Sequence, residues 1–124
     1  MGALHGGMAR VNITPPPGSF AAGYRLRAKP AWIIQDELWA VALAVESDGR
    51  LAVLIAADLL QLPKEIVQAV RSEIAGHTGA SPDGIMITCT HTHSGPHTQE
   101  KALSVLGDEG EWAKQTDDDY LRVL

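Results

Sequence analysis

Two apolar runs of strand length, joined by a tight-turn signal, constrain this chain more than anything else in it. Residues 38–46 alternate by size rather than polarity, with Trp39, Val41, Leu43 and Val45 on one side and Ala40, Ala42 and Ala44 on the other. Residues 51–57, Leu-Ala-Val-Leu-Ile-Ala-Ala, follow with no polar face, and Asp58 is the first charge after them. Between the runs, Ser47-Asp48-Gly49-Arg50 carries the Asp-Gly pair that suits a two-residue hairpin turn. The pattern predicts an antiparallel hairpin buried on both faces, one of them against a close-packed layer. Residues 8–13 form a shorter, partly alternating run that reads as another strand. It is stopped by Thr14-Pro15-Pro16-Pro17-Gly18, because proline lacks a ladder donor. Residues 19–35 are mixed in character, with a basic cluster ending at Lys29, and read as a long loop.

Residues 63–75 read as a helix. Ile66, Val70 and Ile74 recur every four residues, Val67 widens the stripe, Pro63 suits the first turn and Gly76 a C-terminal stop. Lys64, Gln68, Arg71 and Glu73 fall outside the stripe or at its margins. A polar loop through Ser81-Pro82-Asp83-Gly84 leads to an apolar strand over 85–89. Strand, helix, strand in this order is a βαβ unit with parallel strands and a right-handed crossover. The expected fold is therefore α/β: a mixed sheet with a β-hairpin and a βαβ unit, layered with helices. In such sheets ligands gather beyond the carboxyl ends of the strands. Asp58 lies at one such end and a histidine cluster at the other.

That cluster is Thr88-Cys89-Thr90-His91-Thr92-His93-Ser94-Gly95-Pro96-His97, which holds three of the five histidines. Continued strand alternation would put Ile85, Ile87, Cys89, His91 and His93 on one side, and Thr88, Thr90 and Thr92 on the other. Two imidazoles at i, i+2 on one face can converge on a single divalent ion, and imidazole is neutral near pH 7 and suits zinc. Cys89 reads either as a further ligand or, more economically, as a small buried hydrophobe continuing Ile85 and Ile87. For His97 three roles stand open: ligand, substrate contact or solvated loop residue. Asp58 either orients a histidine or caps the following turn. Ser94 lacks the Gly-x-Ser-x-Gly surroundings of a nucleophile and reads as a surface turn. His5 and His77 sit among glycines in expected loops. A catalytic zinc needs three protein ligands and an open position, so the visible chemistry is half a site.

Composition narrows the partners. A net charge of -5 over 124 residues argues against nucleic acid, which needs a basic footprint. One cysteine excludes an internal disulfide. No apolar run approaches the roughly 20 residues of a membrane span, and the start of the chain has no signal-peptide pattern, which makes the cytoplasm the default expectation. Near the end, Thr116-Asp117-Asp118-Asp119 reads as a capped helix start followed by only Tyr120, Leu121, Val123 and Leu124 as apolar body. A helix with so little body predicts an incomplete domain.

Thr90-His91-Thr92-His93-Ser94-Gly95-Pro96 resembles the Thr-His-Thr-His-Ser-Gly-Pro signature of the neutral/alkaline non-lysosomal ceramidase family. Other stretches fit that family in order. Val11-Asn12-Ile13-Thr14-Pro15 is similar to its opening strand and turn, and Gly23-Tyr24 to the glycine-aromatic pair that follows. Residues 36–45 resemble its first long strand, Ala56-Ala57-Asp58 the strand ending in Ala-Asp, and Asp119-Tyr120-Leu121 the helix after the signature. The resemblance implies that residues 1–124 are the N-terminal portion of a zinc-dependent amidohydrolase domain, in which zinc-activated water cleaves the N-acyl bond of ceramide-like lipids. By the same analogy His91 is a zinc ligand, and His93 lies beside the metal and assists substrate or transition state. The family's other ligands, a histidine, a glutamate and a tyrosine, lie far downstream, which implies that the chain alone is inactive. The stretch also resembles the His-x-His-x-Asp-His motif of metallo-β-lactamase-like hydrolases, but Ser94-Gly95-Pro96 replaces the aspartate and adds a residue. A structural or interaction module without catalysis is the remaining alternative.

Overall fold

The computed structural model describes residues 2–24, 27 and 29–98. Its elements are β1 (His5–Asn12), β2 (Trp39–Ser47), β3 (Arg50–Ala57), α1 (Lys64–Thr78), a single 3-10 turn at Pro82–Gly84, and β4 (Ile85–Cys89). The strands form one sheet in the order β1-β2-β3-β4. β1 and β3 flank β2 antiparallel, and β4 runs parallel to β3 after the α1 crossover. The mixed α/β sheet, the hairpin and the βαβ unit are those expected from the periodicities. At the hairpin, Asp48 and Gly49 both adopt positive φ, 51° and 73°, as the favoured two-residue turn requires. The predicted terminal helix after Thr116 lies outside the described residues.

Three expectations need correction. β1 begins at His5, three residues earlier than the alternation implied, so His5 is a strand residue. Its pairing with Glu46 comes from the length of β2, which extends the ladder over a Gly6-Gly7 pair with no strand preference of its own. The helix does not stop at Gly76. It runs to Thr78 and is capped by Gly79 in the left-handed region at φ 75°, whose N–H reaches the Ala75 carbonyl. His77 is consequently helical, with Nδ1 2.9 Å from the Glu73 carbonyl.

The third correction concerns the covering layers. Ala44, Val53 and Ile85 are cross-strand neighbours on one face, where Val53 and Ile85 are buried with Ala80 and packed by Ile74 and Ala75. The small alanines of β2 lie on this face, as their size alternation implied. On the opposite face Met8, Leu43, Leu54 and Met86 also stand in one register row, yet all four are exposed. Among the described residues, then, the hairpin is covered on one face only. A second small cluster of Ile13, Ala57 and Leu59, with Leu38, Ala40, Leu62 and Cys89 against it, fills the carboxyl ends of β3 and β4. It is the floor on which the histidine loop rests.

Candidate functional site

β3 and β4 end side by side, and the segments leaving them are stitched together by their backbones. The Ala57 carbonyl accepts from Thr90 N (3.0 Å) and Leu59 N (2.8 Å), and the Leu59 carbonyl accepts from His91 N (3.0 Å). Leu59 is fully buried beneath them. Strand geometry therefore stops at Cys89, and His91 takes a left-handed conformation at φ 61°. A histidine with positive φ is uncommon, and this one breaks the strand alternation at His91. The two imidazoles nonetheless meet: the His91 and His93 rings lie 5.3 Å apart, edge to face at 70°.

Each ring is held by a different device. His91 Nδ1 lies 3.0 Å from the Leu60 carbonyl. A carbonyl only accepts, so Nδ1 carries the proton and the lone pair is on Nε2. Because His91 is exposed, that lone pair is open to a ligand from solvent. A ring N–H anchored on a backbone carbonyl is the usual support for a metal-binding histidine, so the residue fits a zinc ion.

His93 is half-buried and is held by the long loop. Gly23, at φ 97°, lies flat against its ring: a Cβ at that position would stand 2.5 Å from His93 Cγ and 2.7 Å from Nδ1. Tyr24 adds an edge-to-face contact at 5.0 Å, and Arg27 lies over the Tyr24 ring at 4.8 Å while Nη1 donates to the His93 carbonyl at 3.0 Å. The same loop is fastened to the Ser-Gly-Pro turn by Ala22 N to the Gly95 carbonyl (2.7 Å) and by the Ala21–Pro96 bridge.

The remaining candidates have other duties. Among the described residues, the hydrogen bonds of Asp58 join it to Trp39 and not to a histidine. Its Oδ2 accepts from Trp39 N at 3.0 Å and its own N–H donates to the Trp39 carbonyl at 2.9 Å, closing the β2–β3 ladder. Cys89 packs against the Ile13–Ala57–Leu59 cluster, and burial pushes its thiol pKa up, as suits a small hydrophobe. His97 is half-buried rather than solvated, and its pKa is lowered first by burial and then by the Arg27 cation. Ser94 is an exposed turn residue whose N–H meets Thr92 Oγ1 at 3.2 Å. Among the described residues, no group of three or more His, Cys, Asp or Glu side chains converges on a possible ion position.

Beside the histidine loop runs a groove of about 580 Å³, bounded by Phe20, Ile33, Ile34 and Leu38 and reaching Thr92 and Ser94. Sequence reasoning missed it, and missed Arg27 and the Leu60 carbonyl, because each depends on residues far apart in the chain. Gly23-Tyr24 was legible only as a pair resembling the family.

No protein-family profile matches the chain, and no curated protein sequence does. Solved structures do. A neutral ceramidase from Pseudomonas aeruginosa superposes with a TM-score of 0.72 at 24% identity, over 98% of this chain and 21% of that one. A ceramidase complexed with C2 gives 0.69 at 22% identity, over 86% and 19%. This chain thus spans about one fifth of their length, and its fold is ceramidase-like.

Proposed function

We propose that this chain contributes the histidine half of a zinc-dependent amidohydrolase site acting on the N-acyl bond of ceramide-like lipids. The observation that carries the reading is His91: exposed, with Nδ1 anchored on the Leu60 carbonyl and Nε2 left as a free electron-pair donor. His91 would hold the zinc together with ligands from outside the described residues, since the described ones supply no three-residue set. Bound zinc supplies Lewis acidity, which activates water and polarises the amide carbonyl. His93, kept in place by Gly23, Tyr24 and Arg27, serves as a hydrogen-bond donor toward the oxygen on which charge develops. In the groove, whose lining is mixed, Phe20, Ile33 and Ile34 offer apolar contacts to an acyl chain beside Arg27, Lys29 and Asp36. The ceramidase-like fold supports the choice of reaction. The metallo-β-lactamase reading needs further ligands from the same stretch, and His97 does not join His91 and His93 in such a set.

Zinc analysis of the product of the complete reading frame tests the proposal. About one zinc per domain is expected, lost in His91→Ala, with hydrolysis of an N-acyl lipid amide lost alongside it. His93→Ala is expected to keep the zinc and lower turnover by about 100-fold or more, the range for one oxyanion donor. Equal zinc in the parent and His91→Ala would remove the metal assignment.

A further inference from the structure

Among the described residues, three consecutive apolar residues at a loop tip stand largely exposed: Trp32, Ile33 and Ile34 are 70%, 85% and 48% exposed. We propose that this tip inserts into an uncharged or zwitterionic lipid surface and delivers a lipid amide along the groove to the histidine loop. The choice of a lipid as partner rests on the proposed function; the insertion itself rests on the tip.

The tip is built to stay out. Residues 16–19 and 31 are tied by Gly18 N to the Ala31 carbonyl (2.7 Å), Ala31 N to the Ser19 carbonyl (2.9 Å) and Ser19 N to the Pro16 carbonyl (3.3 Å). The Trp32 indole leans on Gly18, where an added Cβ would stand 3.2 Å from the ring. A loop pinned at its base holds its side chains outward without collapsing onto them. Tryptophan with neighbouring aliphatics is the composition that partitions into the headgroup–acyl boundary.

Charge favours a neutral surface. By sequence Arg25, Arg27 and Lys29 precede the tip and Asp36 and Glu37 follow it, so the charges nearly cancel, to a net of +1. Ile33 and Ile34 also line the groove that reaches Thr92 and Ser94, where they share the lining with polar and charged residues such as Arg27, Lys29 and Asp36. An acyl chain leaving a bilayer at the tip would follow this groove to the segment that carries the histidines.

The test is sedimentation of the chain with phosphatidylcholine vesicles, read alongside tryptophan emission. Association is expected, with a blue shift that Trp32→Phe removes without removing binding. Ile33→Asp is expected to lower partitioning about 10-fold or more, the equivalent of withdrawing one buried aliphatic side chain. Leu54→Ser, on the exposed sheet face, is expected to leave partitioning unchanged. No association of the parent, no change in Ile33→Asp, or an equal loss in Leu54→Ser would each overturn the proposal, the first reassigning the tip to a protein contact. Vesicle binding needs neither zinc nor turnover, so its result and the zinc result fail independently.

Discussion

His91 and His93 show how much of a site is decided by single atoms. One hydrogen bond from Nδ1 to the Leu60 carbonyl selects the tautomer of His91, and nothing in the side chain itself would do so. His93 depends on the absence of an atom, since Gly23 leaves room for the ring that any Cβ would occupy. Gly23→Ala therefore combines two costs, a φ of 97° that L-residues avoid and an overlap with the imidazole. It is expected to destabilise the chain by about 1–3 kcal/mol and to displace His93 while leaving His91 in place. Urea unfolding checks the first outcome. Chemical shifts of the two imidazoles check the second, and an unmoved His93 resonance would contradict the geometry.

At the scale of elements, α1 separates two glycines that composition treats alike. Gly76 sits inside the helix with open space where a Cβ would go, whereas Gly79 ends it at φ 75°. Gly76→Ala is expected to stabilise the chain by about 0.5–1 kcal/mol, and Gly79→Ala to destabilise it by about 1 kcal/mol or more. Thermal midpoints moving in opposite directions would show it; a common direction would refute the helix boundary. The hairpin is the converse case, because Asp48-Gly49 declares its turn in the sequence and the ladder from Ala40–Ala57 to Ser47–Arg50 follows from it.

For the whole molecule, the point of interest is where the long loop meets the histidine turn. His97 lies in that contact region, half-buried and close enough to Arg27 for the cation to disfavour its protonation. Its folded pKa lies below the ordinary value of about 6.5, so the unfolded chain binds its proton first as pH falls. The stability this site contributes is full above the unfolded value and declines as pH drops from about 6.5 through the folded one. Urea midpoints at pH 8 and pH 5.5 should show the acid loss, and His97→Gln should lessen it. An identical pH dependence in the variant would exclude His97 as a source. Among the described residues no helix is long and apolar enough to cross a membrane.

Local chemistry in the sequence determined the strands of the hairpin, its turn, the helix stripe of Ile66, Val67, Val70 and Ile74, and the strand that leads into the histidines. These follow from side-chain periodicity and from backbone preferences that act over a few residues. The resemblance of Thr90–Pro96 to a family signature pointed to the same two imidazoles. Only the tertiary structure decided that His91 turns out of strand geometry and that Gly23 supports His93. The same is true of Asp58, whose carboxylate accepts from Trp39 N in the ladder, and of the apolar row from Met8 to Met86, exposed among the described residues. Each of these depends on partners separated by tens of residues: Leu60 and His91, Gly23 and His93, Trp39 and Asp58. Their contact is set by chain crossing and burial, which no local pattern encodes.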